Sequence, residues 1–176
     1  MKFAEIETAR LHLRPLTMDD ADDIHRLWID PQVRKYLWDD EVIPEERAAS
    51  IVSDSLISFA DNGFGLWGVF PLGRHALIGF CGFWFFHDPP QLQLLYGITP
   101  EEWGKGLATE AARAMIGYGF AELGFERIEA STDAANAASI RVLEKAGMVY
   151  EKRIVEGEAD TVYYAVRRET RPPAES

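Results

Sequence analysis

The sequence predicts an α/β (mixed α+β) domain with a seven-stranded, mostly antiparallel sheet flanked by about four helices. Three observations lead to this prediction. Several apolar segments are short, rich in aromatic residues and bounded by Gly or Pro turns, which is typical of strands. Other segments repeat apolar side chains at 3.6-residue spacing, and the two kinds of segment alternate along the chain. With 176 residues, 47% of them hydrophobic, one domain with a sizeable core is expected over residues 1–170.

The elements follow in chain order. Residues 11–15 alternate apolar and polar side chains and form the first predicted strand. A helix with acidic residues at its start follows to about Asp30, and a second begins after Pro44, a residue that suits the first helical turn. The other predicted strands are 66–70, 77–86, 92–98, 128–132, 150–154 and 161–166, and the other helices run from Gly106 to about Leu123 and from Asn136 to Ala146.

Composition narrows the function classes. The formal net charge is −11, with an isoelectric point near 4.8, so the field of the protein repels nucleic acid and anionic membrane surfaces and favours cationic partners. No apolar run approaches the ~20 residues of a membrane span. We therefore expect neither a nucleic-acid nor a membrane partner.

Cysteine and histidine usage indicates a reducing setting. With Cys81 as the one cysteine, no intrachain disulfide can form, and no clustered His/Cys spacing indicates a metal site. Cys81 alternates with apolar neighbours and is expected in the core. We predict a cytoplasmic protein without a metal, with a flexible C-terminal tail at residues 171–176.

The segment from Glu101 to Thr109 lies between a predicted strand and a long helix. Gly104 and Gly106 let the backbone approach a ligand closely, and the first N–H groups of the helix carry partial positive charge. Phosphate oxygens fit such a site, so the segment favours a phosphorylated ligand. Plain turn glycines explain the same pattern, and a nucleotide could equally supply the phosphate.

A second segment, residues 136–148, opens the last helix. Asn136 fits an N-cap position, Ser139 is the third helical residue, and Gly147 fits a left-handed C-cap. Helix capping alone accounts for all three residues.

Together the two segments resemble a known family. The stretches ETARLHLRPLTMDDADDI, LLYGITPEEWGKGLATEAARAMIGYGF and NAASIRVLEKAGM are similar, in this order and spacing, to the acyl-CoA N-acyltransferases of the GNAT superfamily. They resemble most closely the RimJ/RimL type, which acetylates protein N-termini or small amines. The resemblance covers about residues 6–168 and implies a GNAT-type sheet.

The resemblance implies acetyl-CoA as the acyl donor. The pyrophosphate is then expected on the backbone N–H groups that precede the long helix, although Glu101 stands where relatives commonly have Arg or Gln. The strand carrying Tyr96 is expected to part from the strand carrying Glu129, so that the pantetheine arm pairs with its free edge. The implied donor-binding residues are Trp103, Gly104, Lys105, Gly106, Leu107, Ala108, Thr109, Tyr96, Gly97, Ile98, Asn136, Ser139, Arg141 and Lys145, with Arg113 as a further basic candidate.

The implied reaction is direct attack of a neutral primary amine on the thioester. Many relatives protonate the leaving thiolate with a tyrosine seven residues after the asparagine, where this chain has Leu143. Ser139 matches the alternative donor of RimJ/RimL-like proteins, although a cap role explains it equally. Relatives often have a glutamate base where this chain has Gln93. The remaining base candidates are His87, Glu129, Glu151 and a water relayed through Gln93.

Aromatic residues offer an acceptor pocket, with core packing as the alternative. The candidates are Trp28, Tyr36, Trp38, Trp84 and His87. The acidic charge favours a cationic acceptor such as a protein N-terminus, an aminoglycoside-like compound or a polyamine. Dimers are common in similar families, which leaves a homodimer open.

Two rival functions remain open from the sequence. Gln93 and Leu143 would suit a non-catalytic acyl-CoA-binding or sensor module that kept the groove and lost the acid and base. A nucleotide-binding domain would use the Gly104–Gly106 turn for another phosphate ligand. Thiol release in the presence of an amine distinguishes an enzyme from a sensor module. Competition between ATP and acetyl-CoA for binding distinguishes a nucleotide-binding domain from an acyl-CoA-binding protein.

Overall fold

A computed structural model of the chain describes residues 4–169. Its strands are β1 (Ile6–Glu7), β2 (Leu11–Pro15), β3 (Leu66–Pro71), β4 (Gly79–Phe86), β5 (Gln91–Ile98), β6 (Arg127–Asp133), β7 (Val149–Glu156) and β8 (Ala159–Arg167). Its helices are α1 (Ala21–Ile29), α2 (Pro31–Arg34), α3 (Glu45–Asn62), α4 (Leu107–Ala121) and α5 (Ala137–Lys145). The eight strands form one sheet in the order β1-β2-β3-β4-β5-β6-β8-β7.

The predicted fold class is confirmed, with two additions. β1 is an eighth strand of two residues that pair with Leu13 and His12 of β2, and such a short strand has no alternation to detect. The single turn α2 begins at Pro31 and is capped by Asp30, whose Oδ1 accepts from the Gln32 N–H at 2.9 Å. The predicted tail, residues 171–176, lies outside the described residues.

Helices cover both faces of the sheet, and the side chains of β4 alternate between them. Cys81 and Phe83 lie in the hydrophobic cluster beneath α4 and α5, whereas Phe80 lies in the cluster beneath α1 and α3. All three are buried, so the core position expected for Cys81 is confirmed. Among residues 4–169, no helix has the length and apolar character needed to cross a membrane.

The centre of the sheet contains its one parallel pair, between β5 and β6. Their register consists of a single pair, Gln93 with Glu129, whereas β4 pairs with β5 along the whole of β5, from Gln91 to Ile98. Beyond Gln93 the two strands part. The edge of β5 that faces β6 is therefore open over residues 94–98, and we call this opening the cleft.

An ion pair fixes the entry from β2 into the helices. Arg14 donates to both carboxylate oxygens of the buried Asp20, at 2.8 and 2.9 Å, and the Thr17 N–H donates to Oδ2 at 2.8 Å. Burial raises the pKa of Asp20, but the hydrogen bonds from Arg14 and Thr17 outweigh burial and hold this pKa below its usual value.

We expect Asp20→Asn to lower the free energy of unfolding at pH 7 by about 1–3 kcal/mol, because the buried hydrogen bonds lose their charged acceptor. Since the pKa of Asp20 is lowered on folding, this stabilisation is present above about pH 4 and is lost as the pH falls through the folded-state pKa. Urea unfolding at pH 7 and pH 3 measures both effects. The exposed neighbour variant Asp19→Asn should change stability by less than about 0.5 kcal/mol, and equal losses in both variants would contradict the assignment.

Candidate active site

The loop between β5 and α4 has the shape of an anion site. Gly104 and Gly106 have φ of +78° and +77°, a region that glycine adopts without strain. A Cβ on Gly104 would meet nothing within 4 Å, and one on Gly106 would meet the Arg10 Nη2 at 3.6 Å. The helical hydrogen bonds begin when the Glu110 N–H donates to the Gly106 carbonyl at 3.1 Å. The N–H groups of residues 107–109 therefore have no intrahelical acceptor and are available to phosphate oxygens.

Side chains hold this loop from two sides. The Trp103 indole N–H donates to the Ile98 carbonyl at 2.7 Å, which ties the loop to the end of β5. Arg10 Nη1 donates to the Lys105 carbonyl at 2.8 Å, which ties the loop to the start of β2. The loop is thus fixed before any ligand binds.

A separate surface pocket of about 560 Å³ beside the loop is lined by Arg10, Arg113 and Lys145 together with Gly106. The Arg113 guanidinium donates to the Lys145 carbonyl at 2.6 and 3.0 Å, so α4 and α5 are joined at this point. Of the other basic candidates, Lys105 pairs with Glu102 at 2.7 Å, and Arg141 is exposed and does not line this pocket.

Two hydroxyl groups meet on the α4–α5 side of the cleft. The Tyr96 Oη lies 2.8 Å from the Ser139 Oγ, and the Tyr96 hydroxyl donates to the Ser139 carbonyl at 3.1 Å. Burial raises the pKa of Tyr96, and the hydrogen bond with Ser139 offsets only part of this rise. The phenol is therefore protonated at neutral pH. Asn136 Oδ1 accepts from the Ser139 N–H at 3.2 Å, so Asn136 is an N-cap, and Leu143 is fully buried.

Gln93 lies on the opposite face of the sheet, where it is the cross-strand partner of Trp84. Gln93 is 2% exposed. The Ser131 hydroxyl of β6 donates to Gln93 Oε1 at 2.6 Å, and Gln93 Nε2 has no hydrogen-bond partner in the described part of the chain. Ser139 and Gln93 therefore occupy the two sides of the cleft and do not touch.

Arg127 holds two of the carboxylate base candidates. Its guanidinium donates to Glu129 Oε1 at 2.8 and 3.1 Å and to the Glu151 oxygens at 2.5 and 2.6 Å. The hydrogen bond from Arg127 lowers the pKa of Glu151, which weakens Glu151 as a base. Glu129 remains beside Gln93 in the strand register.

Three of the five acceptor-pocket candidates, the tryptophans, lie in one hydrophobic cluster, and the other two lie outside it. Trp28 packs edge-on against Trp38, with ring centroids 5.6 Å apart, and both belong with Trp84 to the cluster beneath α1 and α3. The Tyr36 hydroxyl reaches the Ala135 carbonyl at 3.5 Å. His87 is exposed at the end of β4, with its ring 6.1 Å from that of Tyr163. Trp38 and Trp84 are partly buried, so they can border a ligand on the Gln93 face, whereas Trp28 is core.

Acidic residues lie near the same face. Asp133 ends β6 two residues after Ser131, and thus on the same face of the strand. Burial raises the pKa of Asp133, and the charges of Asp39 and Asp160 raise it further. Within residues 4–169, no set of three or more His, Cys, Asp or Glu side chains could hold a metal ion. Asp160 is paired with Arg153, so Asp133 and Asp39 supply the negative charge near this face, and such charge favours a cation.

Three contacts of this site cannot be predicted from local sequence patterns. Arg10 is 95 residues from Lys105 in the chain, and no local pattern pairs them. Tyr96 is a predicted donor-binding residue, and alternation along β5 puts it on the face opposite Gln93. No local pattern predicts the contact of its hydroxyl with Ser139. The contact of Ser131 with Gln93 depends on the register of two strands that pair only once.

The sequence is similar to a protein family and to several of its members. The family model of the acetyltransferase (GNAT) domain matches residues 10–149. An uncharacterized N-acetyltransferase, p20 of Bacillus licheniformis, is 30% identical over 165 residues, which are 89% of this chain and 91% of p20. The spermidine N(1)-acetyltransferase of Escherichia coli K12 is 29% identical over 144 residues, or 81% of this chain and 75% of that enzyme.

Among solved structures, RimL, the ribosomal L7/L12 alpha-N-protein acetyltransferase in complex with coenzyme A, has a TM-score of 0.79. It is 16% identical, with 93% of this chain and 98% of RimL covered, so the similarity concerns the fold. The matches to the family model and to p20 are sufficient to assign the family. The chain belongs to the GNAT acetyltransferase family and is an N-acetyltransferase.

We expect the Tyr96 and Ser139 hydroxyls to stabilise each other. A double-mutant cycle of Tyr96→Phe and Ser139→Ala, followed by urea unfolding, should give a coupling free energy of about 0.5–1.5 kcal/mol. The control cycle combines Ser139→Ala with Tyr150→Phe, since Tyr150 is exposed, and should give no coupling. A coupling of zero in both cycles would show that the two hydroxyls do not interact.

Proposed function

We propose that this enzyme uses acetyl-CoA as the acyl donor and transfers the acetyl group to a primary amine by direct attack in a ternary complex. The observation that carries the proposal is the cleft between β5 and β6. β5 leads directly into the glycine loop on one side, and the acidic and aromatic face that contains Gln93 lies on the other. A donor with a phosphate end and a reactive end fits such an arrangement.

The residues around the cleft fit this donor. In the proposal, the pyrophosphate binds the N–H groups of residues 103–109, and Gly104 and Gly106 leave room for it. The pantetheine arm pairs with the open edge of β5 and bonds to Asn136. Glu101, at the position where relatives carry Arg or Gln, accepts a hydrogen bond from the Thr99 hydroxyl. The donor-binding set comprises Trp103, Gly104, Lys105, Gly106, Leu107, Ala108, Thr109, Tyr96, Gly97, Ile98, Asn136, Ser139, Arg141 and Lys145, to which we add Arg10 and Arg113.

The transfer forms a C–N bond and breaks a C–S bond. The sulfur leaves with the bonding electron pair and takes one proton, and the amine nitrogen gives one proton up. We propose that Ser139, supported by the Tyr96 hydroxyl at 2.8 Å, donates the proton to sulfur. Because a phenol is a stronger acid than a serine hydroxyl, Tyr96 can reprotonate Ser139.

The amine proton leaves by a different route. An amide cannot accept it, so Gln93 is not the base. We propose that water in the cleft takes the proton, with Glu129 as the nearest carboxylate in the strand register. Arg127 engages Glu129 Oε1, which leaves Oε2 as the oxygen for this role.

The acceptor is proposed to be a cationic primary amine. Asp133 and Asp39 place negative charge near the Gln93 face, and the whole chain carries a formal charge of −11. Trp38, Trp84, Tyr36 and His87 border the same region. The names of the relatives supply two acceptor classes, a polyamine and a protein N-terminus, and we propose a RimJ/RimL-like enzyme that acts on one of them.

Three broader proposals accompany this function. Residues 1–170 form one domain, the enzyme works in the cytoplasm, where the single cysteine stays reduced, and a homodimer is left open as its assembly. Neither nucleic acid nor membrane is a partner, because the net charge of −11 repels both.

Thiol release tests the function. Acetyl-CoA is mixed with basic N-terminal peptides, polyamines and aminoglycosides in turn, and calorimetry measures acetyl-CoA binding in the same buffer. Release with one class of amine establishes the reaction and its acceptor class. Binding without release from any amine favours the sensor module, for which Gln93 and Leu143 are the supporting residues. Tight ATP binding without acetyl-CoA binding would favour a nucleotide-binding domain.

We expect Gly106→Val to weaken acetyl-CoA binding roughly tenfold or more. A β-branched residue disfavours φ +77° by about 1–2 kcal/mol, so the free loop leaves the conformation that presents its N–H groups, and binding must restore it. Calorimetry measures the dissociation constant, and circular dichroism checks that the variant folds. Gly117→Ala is the matched control, since Gly117 lies within α4 and its added Cβ meets nothing within 4 Å. An unchanged dissociation constant in folded Gly106→Val would place the donor elsewhere.

We expect Ser139→Ala to lower kcat by roughly 10²–10⁴ and to leave the KM for acetyl-CoA nearly unchanged, as befits a lost general acid. Steady-state thiol release measures both constants. Ser53→Ala, an exposed serine on α3, should behave as wild type. If Ser139→Ala retains full kcat, Ser139 is only a part of the helix cap.

A further inference from the structure

We propose that the side-chain amide of Gln93, held in one orientation by Ser131, donates a hydrogen bond to the thioester carbonyl oxygen during acetyl transfer. Gln93 is then a catalytic residue that stabilises charge, and not a glutamate base that has lost its function. Ser131 is the positioning residue. Both roles rest on the proposed function.

Gln93 stands where the cleft begins. It forms the single register pair with Glu129, and the following residues of β5 have no partner on β6. A group at this apex lies within the parting of the strands and yet remains 2% exposed. A side chain in this position is buried by protein at the point where the cleft begins.

Ser131 determines which end of the amide points to β6. The Ser131 hydroxyl donates to Gln93 Oε1 at 2.6 Å, and Oε1 is the acceptor end of the amide. The NH₂ group is consequently turned away from Ser131. With Oε1 occupied, the free hydrogen-bonding capacity of Gln93 consists of N–H donors.

These donors lack an acceptor. Gln93 Nε2 is buried and has no hydrogen-bond partner among the described residues, and a buried donor left without a partner is costly. The neighbouring groups on the same face, Trp84 and Leu95, are apolar where they pack. The arrangement calls for an acceptor atom supplied by a ligand.

The reacting groups offer one such atom. An ammonium group carries only donors, and a neutral amine uses its lone pair to attack carbon. The carbonyl oxygen is an acceptor throughout, and it gains negative charge as the C–N bond forms. A fixed donor in an apolar surrounding acts most strongly on charge that develops in the transition state.

The step leaves Gln93 unchanged. The amine electron pair forms the C–N bond, the carbonyl π pair moves to oxygen and returns as the C–S bond breaks, and sulfur leaves with its electron pair. Gln93 keeps both of its protons. Its role is therefore separate from the acid role proposed for Ser139 and from the base role proposed for water.

The change in kcat caused by Gln93→Glu distinguishes a hydrogen-bond donor at position 93 from a lost base. A carboxylate at position 93 repels the developing oxyanion, so Gln93→Glu should lower kcat about 10²–10³-fold, the loss expected for one oxyanion donor. A restored base would raise kcat instead. Gln91→Glu, on the same strand and face but exposed, introduces the same charge and should leave kcat unchanged.

A spectroscopic measurement tests the contact without turnover. The infrared carbonyl stretch of acetyl-CoA labelled with ¹³C at the carbonyl should shift to lower frequency on binding to wild type, because hydrogen bonding weakens the C=O bond. The shift should be smaller in Ser131→Ala, be restored in Ser131→Thr, and be absent in Gln93→Met. Gln93→Met keeps the length of the side chain and removes the donor, and it serves if the buried glutamate variant does not fold.

The outcomes separate this role from the proposed function. Thiol release by wild type together with a raised kcat in Gln93→Glu, or with a carbonyl shift retained in Gln93→Met, overturns the role of Gln93 and leaves the function standing. A shift that is unchanged in Ser131→Ala overturns the positioning role. Failure of wild type to bind acetyl-CoA overturns the function and this role together.

Discussion

The parting of β5 from β6 is the constraint on which the site depends. Backbone N–H and C=O groups require partners, and a strand in the middle of a sheet normally finds them on both sides. Here β5 is paired with β4 along its whole length but meets β6 at Gln93 alone. The sheet therefore lacks ladder hydrogen bonds between β5 and β6 beyond Gln93. Antiparallel pairing of β5 with β4 and of β6 with β8 keeps both strands in place.

Each side of the cleft carries a polar pair of different character. On the α4–α5 side, Tyr96 and Ser139 supply hydroxyl protons, while on the α1–α3 side Ser131 orients the Gln93 amide. The two sides are separated by the thickness of the strand and communicate only through what lies in the cleft. In the proposed mechanism, one face protonates the leaving group, and the other face contacts the carbonyl and the incoming amine.

The fold class could be predicted from local patterns, because strands alternate apolar and polar side chains and helices repeat apolar side chains every 3.6 residues. The loop glycines and the Asn136 cap were likewise predictable, since each reports a local backbone conformation. β1 and α2 were too short to show a period. Arg10 and Ser131 act through contacts with distant segments, and such contacts depend on register, which residue patterns do not encode. For Tyr96, the alternation of β5 predicts the face on which the side chain lies, but it does not predict that the hydroxyl contacts Ser139.

The bond from Arg10 to the Lys105 carbonyl has a consequence for the order of folding. The two residues are 95 positions apart, and between them lie α1, α3 and strands β3 to β5. Closing a loop of this length costs entropy that must be repaid by the intervening contacts. The glycine loop therefore acquires its final support only after the N-terminal half of the sheet has assembled. The other support, from the Trp103 indole to the Ile98 carbonyl, spans only five residues, so the loop is held by one local and one long-range contact.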